Sequence, residues 1–495
     1  MTLTSLITAS EGFPALERLA MSAQRELVMS FRILDPTTQL HCPEFLDQGL
    51  KTWADLLAAV AQKGVRVRLV LADFDPIFAE PLHKLAWRSA SGFAQGIKGD
   101  VQILCAPHGQ LAGPLWRWMM RSRVGEKLQE LRGRDHSELT PIQRALVKGP
   151  ILLRPVTIHQ KFAVVDSERC IIGGLDVNDR RWDDFDHDQA PEQTWHDVSM
   201  QVDDADFAAA LRLHFSETWN RALDCGTPAV LGEAEHMATN IRPQPPADLR
   251  LLRTVSVPRR GLSTLAPKTL ATEHEKTLIQ LFGEARHFIY LETQFLRHRP
   301  LVDALVRAAK REPDLQLVIV LPPAADRVLF DSDVGWDARA AHALQTEAAE
   351  RLSRAYGERL AMISPAQPVP ARDGQAEVLQ SGPIYIHSKV AVVDDRVGMV
   401  GSANLNGRSM RWDTEASVLF RRPEDAKALR ERLAEKWLGP TIGGASTSQA
   451  RTWRQAALSN AAREPGDREG FALPYPVATG KKFARKVIGF PADMF

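Results

Sequence analysis

Four basic side chains stand in two matching strings of the sequence. The first reads Thr157-Ile-His-Gln-Lys-Phe-Ala-Val-Val-Asp166 and the second Tyr385-Ile-His-Ser-Lys-Val-Ala-Val-Val-Asp394. Each is His-x-Lys followed after four residues by Asp, giving His159, Lys161 and Asp166 in one copy and His387, Lys389 and Asp394 in the other. Seven residues past each Asp a small-residue turn begins, Gly173-Gly174-Leu175-Asp176 and Gly401-Ser402-Ala403-Asn404. An unperturbed imidazole titrates at about pH 6.5, so at neutral pH one histidine can attack as a free base while another supplies a proton. A lysine is a standing cation for the non-bridging oxygens of a phosphoryl group. Two of each, meeting on one phosphodiester, suffice for cleavage through a phosphohistidine, and no metal or other cofactor is called for. One such string arises by chance, and a lone strand histidine is more often structural. Two copies with turns at the same distance are not accidents of composition.

The elements that must position these residues are legible around them. The short runs Phe162-Ala-Val-Val165 and Val390-Ala-Val-Val393 predict a buried strand for each motif. Residues two apart on a strand share a face, so His159 with Lys161, and His387 with Lys389, are expected to point into one pocket as pairs. The histidines are 228 residues apart (387 − 159), and only the pairing of two like units brings them together. In the first half, helices are predicted at 13–25, 50–62 and 203–223, and strands at 26–34, 65–71, 101–105 and 197–202. The second half repeats the order, with helices at 275–286, 300–311, 337–356 and 423–437 and strands at 288–295, 315–320, 360–364 and 416–420. Strands alternating with helices, twice over, predict an α/β fold of two similar α-β-α lobes with the active site at their interface. The expected limits are 1–225 for the N-terminal lobe, 226–258 for a linker broken by Pro and Gly, 259–440 for the C-terminal lobe and 441–495 for a tail.

The doubled motif resembles the signature of the phospholipase D superfamily. The resemblance covers most of the chain, from about residue 10 to about 440. It extends to Gly173-Gly-Leu-Asp-Val-Asn-Asp-Arg-Arg-Trp-Asp183 and Thr194-Trp-His-Asp-Val198, which are similar to the lipid-cleaving branch, and to Gly401-Ser-Ala-Asn-Leu-Asn-Gly-Arg-Ser409 and Asp413-Thr-Glu415. Phe288-Ile-Tyr-Leu-Glu-Thr-Gln-Phe295 resembles the strand that opens the second half of those enzymes. The resemblance implies mixed sheets flanked by helices. It also implies His159 as nucleophile and His387 as general acid, with the reverse assignment open from sequence, and Lys161 and Lys389 as a clamp on the phosphate. An acid on the strand after each motif is implied to orient an imidazole, matching Asp197 and Glu415, which leaves Asp166 and Asp394 as structural partners. Asn404 matches an asparagine that bonds the phosphoryl group. Asp176 stands at the equivalent place in the first copy, where a carboxylate would repel phosphate unless protonated or turned away. Gly174 and Ser402 are expected to let the backbone approach the phosphate, and His196 to line the pocket or serve the fold.

The implied activity is hydrolysis of a glycerophospholipid to phosphatidic acid and a headgroup alcohol, with transphosphatidylation when an alcohol replaces water. Alternatives are phosphatidyl transfer of the cardiolipin synthase kind, nucleic-acid diester cleavage, and an inactive scaffold or binding protein. Intact His and Lys in both copies weigh against the last. The chain has 495 residues, 44% hydrophobic and 25% charged, with 62 basic and 61 acidic residues for a net charge of +1. That balance speaks against an extended basic surface for nucleic acid, so no stable nucleic-acid partner is expected. The expected partner is phospholipid at a membrane surface, met by a monomer that is a pseudo-dimer within one chain. No apolar run approaches a membrane span, and the first residues lack the basic and apolar blocks of a signal peptide. The expected location is cytoplasmic and peripheral to a membrane, with secretion by a signal-less route as the alternative. Cys42, Cys105, Cys170 and Cys225 are scattered and read as buried thiols. Pro114-Leu-Trp-Arg-Trp-Met-Met-Arg-Ser-Arg123 fits either a lipid interface or an ordinary packed helix. Residues 327–336 fit a lid or a loop, and Lys481 to Phe490 is a basic, aromatic tail segment.

Overall fold

Each half of the chain alternates β-branched apolar runs with amphipathic helices, and the runs assemble into two eight-stranded sheets. The computed structural model describes residues 2–150, 152–331, 335–439, 446–477, 483–485 and 490–495. The first sheet holds β1 (Thr2–Ile7), β2 (Glu26–Phe31), β3 (Arg66–Ala72), β4 (Val101–Ala106), β5 (Phe162–Val165), β6 (Arg169–Gly173), β7 (Val198–Asp203) and β8 (Ala229–Leu231). The second holds β9 (Leu249–Val257), β10 (Lys268–Thr272), β11 (Phe288–Glu292), β12 (Gln316–Val320) and β13 (Leu360–Ile363). After a small ribbon of β14 (Ala366–Pro370) and β15 (Ser381–Pro383) it is completed by β16 (Val390–Val393), β17 (Val397–Gly401) and β18 (Glu415–Phe420). The orders are β1-β7-β6-β5-β2-β3-β4-β8 and β10-β9-β18-β17-β16-β11-β12-β13, which coincide once the end strands β8 and β10 are set aside. Both are mixed: β2-β3-β4 and β11-β12-β13 run parallel, while β5-β6-β7 and β16-β17-β18 are antiparallel.

Strand alternation divides the side chains between two cores. Phe162 and Val164, like Val390 and Val392, enter a core common to both lobes. Ala163 and Val165, like Ala391 and Val393, face outer layers of helices. Helices Ala205–Asp224 and Pro423–Leu438 complete the common core with Phe215, Trp219, Leu433 and Trp437. Parting the lobes would expose this apolar surface, so the lobes form a fixed frame for whatever lies between them.

Three stretches differ from the sequence expectation. The first helix runs Thr8–Met21 and follows β1, whose Thr-Leu-Thr-Ser alternation is too short to stand out in sequence. Residues 226–258 contain β8 and β9, the Pro and Gly signals ending before Leu249. The Gly-, Ser- and Arg-rich stretch after 440 contains the helix Ala450–Ala461, which buries Trp453 and Ala457 against the common core. Cys42, Cys105 and Cys170 are buried as expected, but Cys225 is exposed at the end of its helix. Among the described residues no helix is long and apolar enough to cross a membrane.

Candidate active site

The motifs do not run through their strands. β5 begins at Phe162 and β16 at Val390, and each His-x-Lys segment lies just ahead, where its backbone bonds to the other lobe. His159 N donates to Thr414 O at 2.9 Å, and Thr414 N to Thr157 O at 3.2 Å. In the second copy His387 N donates to His196 O at 2.8 Å, and His196 N to Tyr385 O at 2.9 Å. The parallel bridges Ile158–Thr414 and His196–Ile386 are thus equivalent under the duplication. Pairing across the lobe boundary has replaced the strand expected through His159–Lys161 and His387–Lys389.

The acids therefore pair crosswise. Asp197, just before β7 of the first lobe, sets Oδ2 2.6 Å from Nδ1 of His387 in the second. Glu415, the first residue of β18, sets Oε2 3.1 Å from Nδ1 of His159. A carboxylate on Nδ1 fixes the tautomer with its proton there and leaves Nε2 as the basic nitrogen. The His387, Asp197 and Glu415 side chains are at most 1% exposed, whereas His159 retains 12%. Lys161 Nζ donates to the carbonyl of His159 at 2.7 Å and lies 3.2 Å from its Nε2. Lys389 Nζ donates likewise to the carbonyl of His387.

Burial, then the charges of Lys161, Arg32 and Lys389, hold His159 well below the usual imidazole range. Burial, then Lys389, Lys161, Arg181 and His159, do the same to His387. Burial pulls Lys389 down to about 7 against the attraction of Asp197, and pushes Asp197 up to about 6 against that of Lys389. Glu415 is also raised by burial, opposed by Lys161 and by hydrogen bonds from Ser402 and Ser409. These mutual influences put the two His-Lys pairs in one electrostatic neighbourhood. Near neutral pH both imidazoles are uncharged bases, each with a carboxyl group at its Nδ1.

The other expected residues surround this centre, several in roles the sequence did not give them. A Cβ built on Gly174 would stand 2.2 Å from Asp197 Oδ1, so this glycine makes room for the acid rather than for phosphate. Its counterpart Ser402 donates Oγ to Glu415 Oε2 at 2.5 Å and so holds the other acid. Asp176 turns Oδ1 to the N–H of Ile33 at 2.9 Å, and its charge supports Lys161, Lys389 and Arg181. Asn404 donates to Gln294 at 3.3 Å, and its buried Oδ1 has no partner. His196 is buried against the edge of Trp437, its Nε2 3.2 Å from Glu292, and serves the fold rather than lining the pocket. Asp166 accepts from the N–H groups of Gln24, Arg25 and Glu26 at 3.0, 2.8 and 2.8 Å. Asp394 accepts from those of Arg286, His287 and Phe288 at 2.9, 2.8 and 2.8 Å. Each motif Asp thus ties off the start of the neighbouring strand, away from the histidines.

Two cations escaped the sequence reading. Register aligns Leu27 with Ile289, since they face Val165 and Val393 respectively, and the same offset of 262 (289 − 27) sets Arg32 opposite Gln294. The internal comparison of Ser30-Phe-Arg32 with Glu292-Thr-Gln294 was the signal for it. Arg181 lies over the Trp195 ring at 4.4 Å, and burial lowers it to about 10. Both influence the histidines named above. At the head of the 327–336 segment, Asp326–Leu329 is a short helix seated on the motif: Asp326 N donates to Tyr385 Oη at 2.8 Å. Residues 332–334 lie outside the described residues, as do 481, 482 and 486–489 of the basic tail segment.

Fold and site together define a duplicated α/β protein whose two His-Lys pairs meet between lobes under crosswise carboxylates. Residues 278–437 match the family model described as "Cardiolipin synthase, PLD-like domain". Phospholipase D1 of Saccharomyces cerevisiae is 24% identical over 372 residues, covering 57% of this chain and 22% of that one. Phospholipase D2 of Bos taurus is 26% identical over 282 residues, 49% of this chain and 29% of that one. The chain thus spans less than a third of the length of either relative. The crystal structure of phosphatidylserine synthase from Haemophilus influenzae has the same fold, with a TM-score of 0.55 at 13% identity over 88% of this chain and 85% of that one. Residues 278–437 thus carry a PLD-like domain, and the chain is similar to members of the phospholipase D superfamily.

Proposed function

We propose that the protein is a phospholipase D-type phosphodiesterase that cleaves glycerophospholipids through a phosphohistidine. The crosswise pairs, His159 with Glu415 and His387 with Asp197, carry the proposal. His159, the more exposed imidazole, attacks phosphorus with Nε2. The N–P bond forms as the bond to the headgroup oxygen breaks, and His387 gives that oxygen a proton. In the free site burial, and then the surrounding cations, hold His387 neutral. A bound phosphodiester anion offsets Lys161, Lys389 and Arg181, and the imidazole takes up from solvent the proton it then donates. Water next gives its proton back to His387, its oxygen attacks phosphorus, and the N–P bond breaks to release phosphatidic acid. Lys161, Lys389 and Arg32 balance the charge that moves onto the phosphoryl oxygens.

A cleft of about 1000 Å³ supports lipid over nucleic acid as substrate. Trp116, Leu153, Leu265 and Trp336 line it, and so does Pro155, four residues ahead of His159 (159 − 155). The near-neutral charge of the chain points the same way. A second reading is transfer of the phosphatidyl group to an alcohol, favoured by the description of the matching family model. It uses the same intermediate, with an acceptor hydroxyl in place of water.

The test is incubation of the full chain with mixed phospholipid vesicles, EDTA and ethanol. Phosphatidic acid and phosphatidylethanol are expected, both abolished in His159→Ala and His387→Ala. Net transfer to glycerol in preference to water would favour the second reading. Cleavage of DNA without lipid turnover would overturn both.

A further inference from the structure

Two segments far apart in sequence, 108–123 and 258–264, are stitched into one surface. Gln110 and Arg259 exchange hydrogen bonds at 2.7 and 3.1 Å, Leu115 N donates to Leu262 O at 3.0 Å, and Trp116 Nε1 donates to Ser263 O at 2.9 Å. The helical stretch that starts at Pro114 has two faces. Trp116, Met120, Arg123 and Lys127, spaced four, three and four apart, line the cleft. Leu115, Trp118 and Met119 turn away from it to solvent. Trp118 is 60% exposed and Leu262, on the tip of the second segment, 72%. Leu111 is exposed beside them.

The charge of this surface is one-sided on a chain that is otherwise balanced. The two segments carry Arg117, Arg121, Arg123, Arg259 and Arg260 and no acidic residue, against a net charge of +1 overall. The Arg121 guanidinium lies over the Trp118 ring at 4.5 Å. Exposed apolar side chains rimmed by arginines suit the boundary of an anionic bilayer, where the rings and aliphatic chains leave water and the cations meet phosphates. A protein partner or a second copy would cover the apolar residues equally well, but neither calls for the exposed Arg121, Arg259 and Arg260 that rim them.

We infer that Leu111, Leu115, Trp118, Met119 and Leu262, with the arginines around them, form a docking surface for an anionic phospholipid bilayer. The surface rests on the phospholipid reading for its purpose and deepens it: the same helical stretch lines the cleft with Trp116 and Met120, so docking sets the bilayer beside it. Binding is measurable without turnover, and the two claims fail separately.

The experiment is flotation of the full chain with vesicles of phosphatidylglycerol and phosphatidylcholine in equal parts, or of phosphatidylcholine alone. His159→Ala serves as a catalytically silent reference that should bind as wild type does. Binding to the anionic vesicles is expected, weakened by added salt. Loss of the double variant Trp118→Ser with Leu262→Ser from the vesicles should reach about tenfold or more. Arg121→Gln and Arg259→Gln should each weaken binding about fivefold. Leu458→Ser, at an exposed leucine on another face, should change nothing. Wild type that stays off the vesicles, or a double variant that binds equally, would overturn the assignment. A dimer, seen by sedimentation equilibrium, that these variants dissociate without affecting vesicle binding would overturn it in favour of self-association.

Discussion

Asp197→Asn separates the two halves of the reaction. The side chain keeps its volume, and Val198 N still finds Oδ1, to which it donates at 2.9 Å. That bond orients the amide so that its NH2 faces Nδ1 of His387, 2.6 Å from the present Oδ2. A donor then meets a donor, and His387 moves its proton to Nε2. With no lone pair on Nε2 the imidazole can no longer accept a proton from water, while a leaving group that needs no acid still departs. A charge-assisted hydrogen bond contributes about 1.5–3 kcal/mol, and about 1.4 kcal/mol is a tenfold change in rate, so turnover should fall about 10- to 150-fold. Stopped-flow with a phosphatidyl ester of p-nitrophenol, a leaving group that needs no acid, reads the steps apart. The burst of nitrophenolate should survive with its wild-type rate while the steady state slows. Glu415→Gln acts on His159 instead and should slow the burst itself. A burst lost in Asp197→Asn and kept in Glu415→Gln would refute the assignment and make His387 the nucleophile.

Three further outcomes follow from named contacts. Gly174→Ala drives a methyl group against Asp197 Oδ1 and should cost about tenfold or more in kcat, whereas Gly466→Ala, with nothing within 4 Å of its Cβ, should cost nothing. Asp166→Ala leaves three N–H groups without their acceptor and should lower stability in urea by about 1–3 kcal/mol, with kcat unchanged at a temperature where the fold persists. The pH profile of kcat/KM should be a bell: protonation of Asp197 below about 6 frees Nδ1 of His387, and deprotonation of Lys389 above about 7 removes a phosphate contact. Lys389→Arg should extend the alkaline limb if it retains activity; an unmoved limb would show that Lys389 does not set it.

The repeated motif and the alternation of elements disclosed the duplicated α/β frame, because each rests on local periodicity. Asp197 and Glu415 were also legible, but their partners were not. Crosswise pairing is a property of how lobes meet, and the pairing of Ile158 with Thr414 leaves no mark in either string. The same limit hid Gly174, whose small size serves an acid 23 positions on (197 − 174). Arg32 escaped because its counterpart Gln294 is uncharged, so only strand register aligns them. The helix Ala450–Ala461 was obscured because half of its residues are polar and its buried face offers only Ala450, Trp453, Ala457 and Asn460. The exposed arginine surface was half visible, since its second segment comes from the other lobe.

Crystals of the full chain grown with inorganic vanadate address most directly whether both lobes act on one phosphoryl group. A single vanadate is expected between the lobes, its metal in bonding reach of His159 Nε2, His387 on the opposite side, and both lysine Nζ atoms drawn from their carbonyls to its oxygens. An anion held by one motif alone, or a separate anion at each histidine, would contradict it.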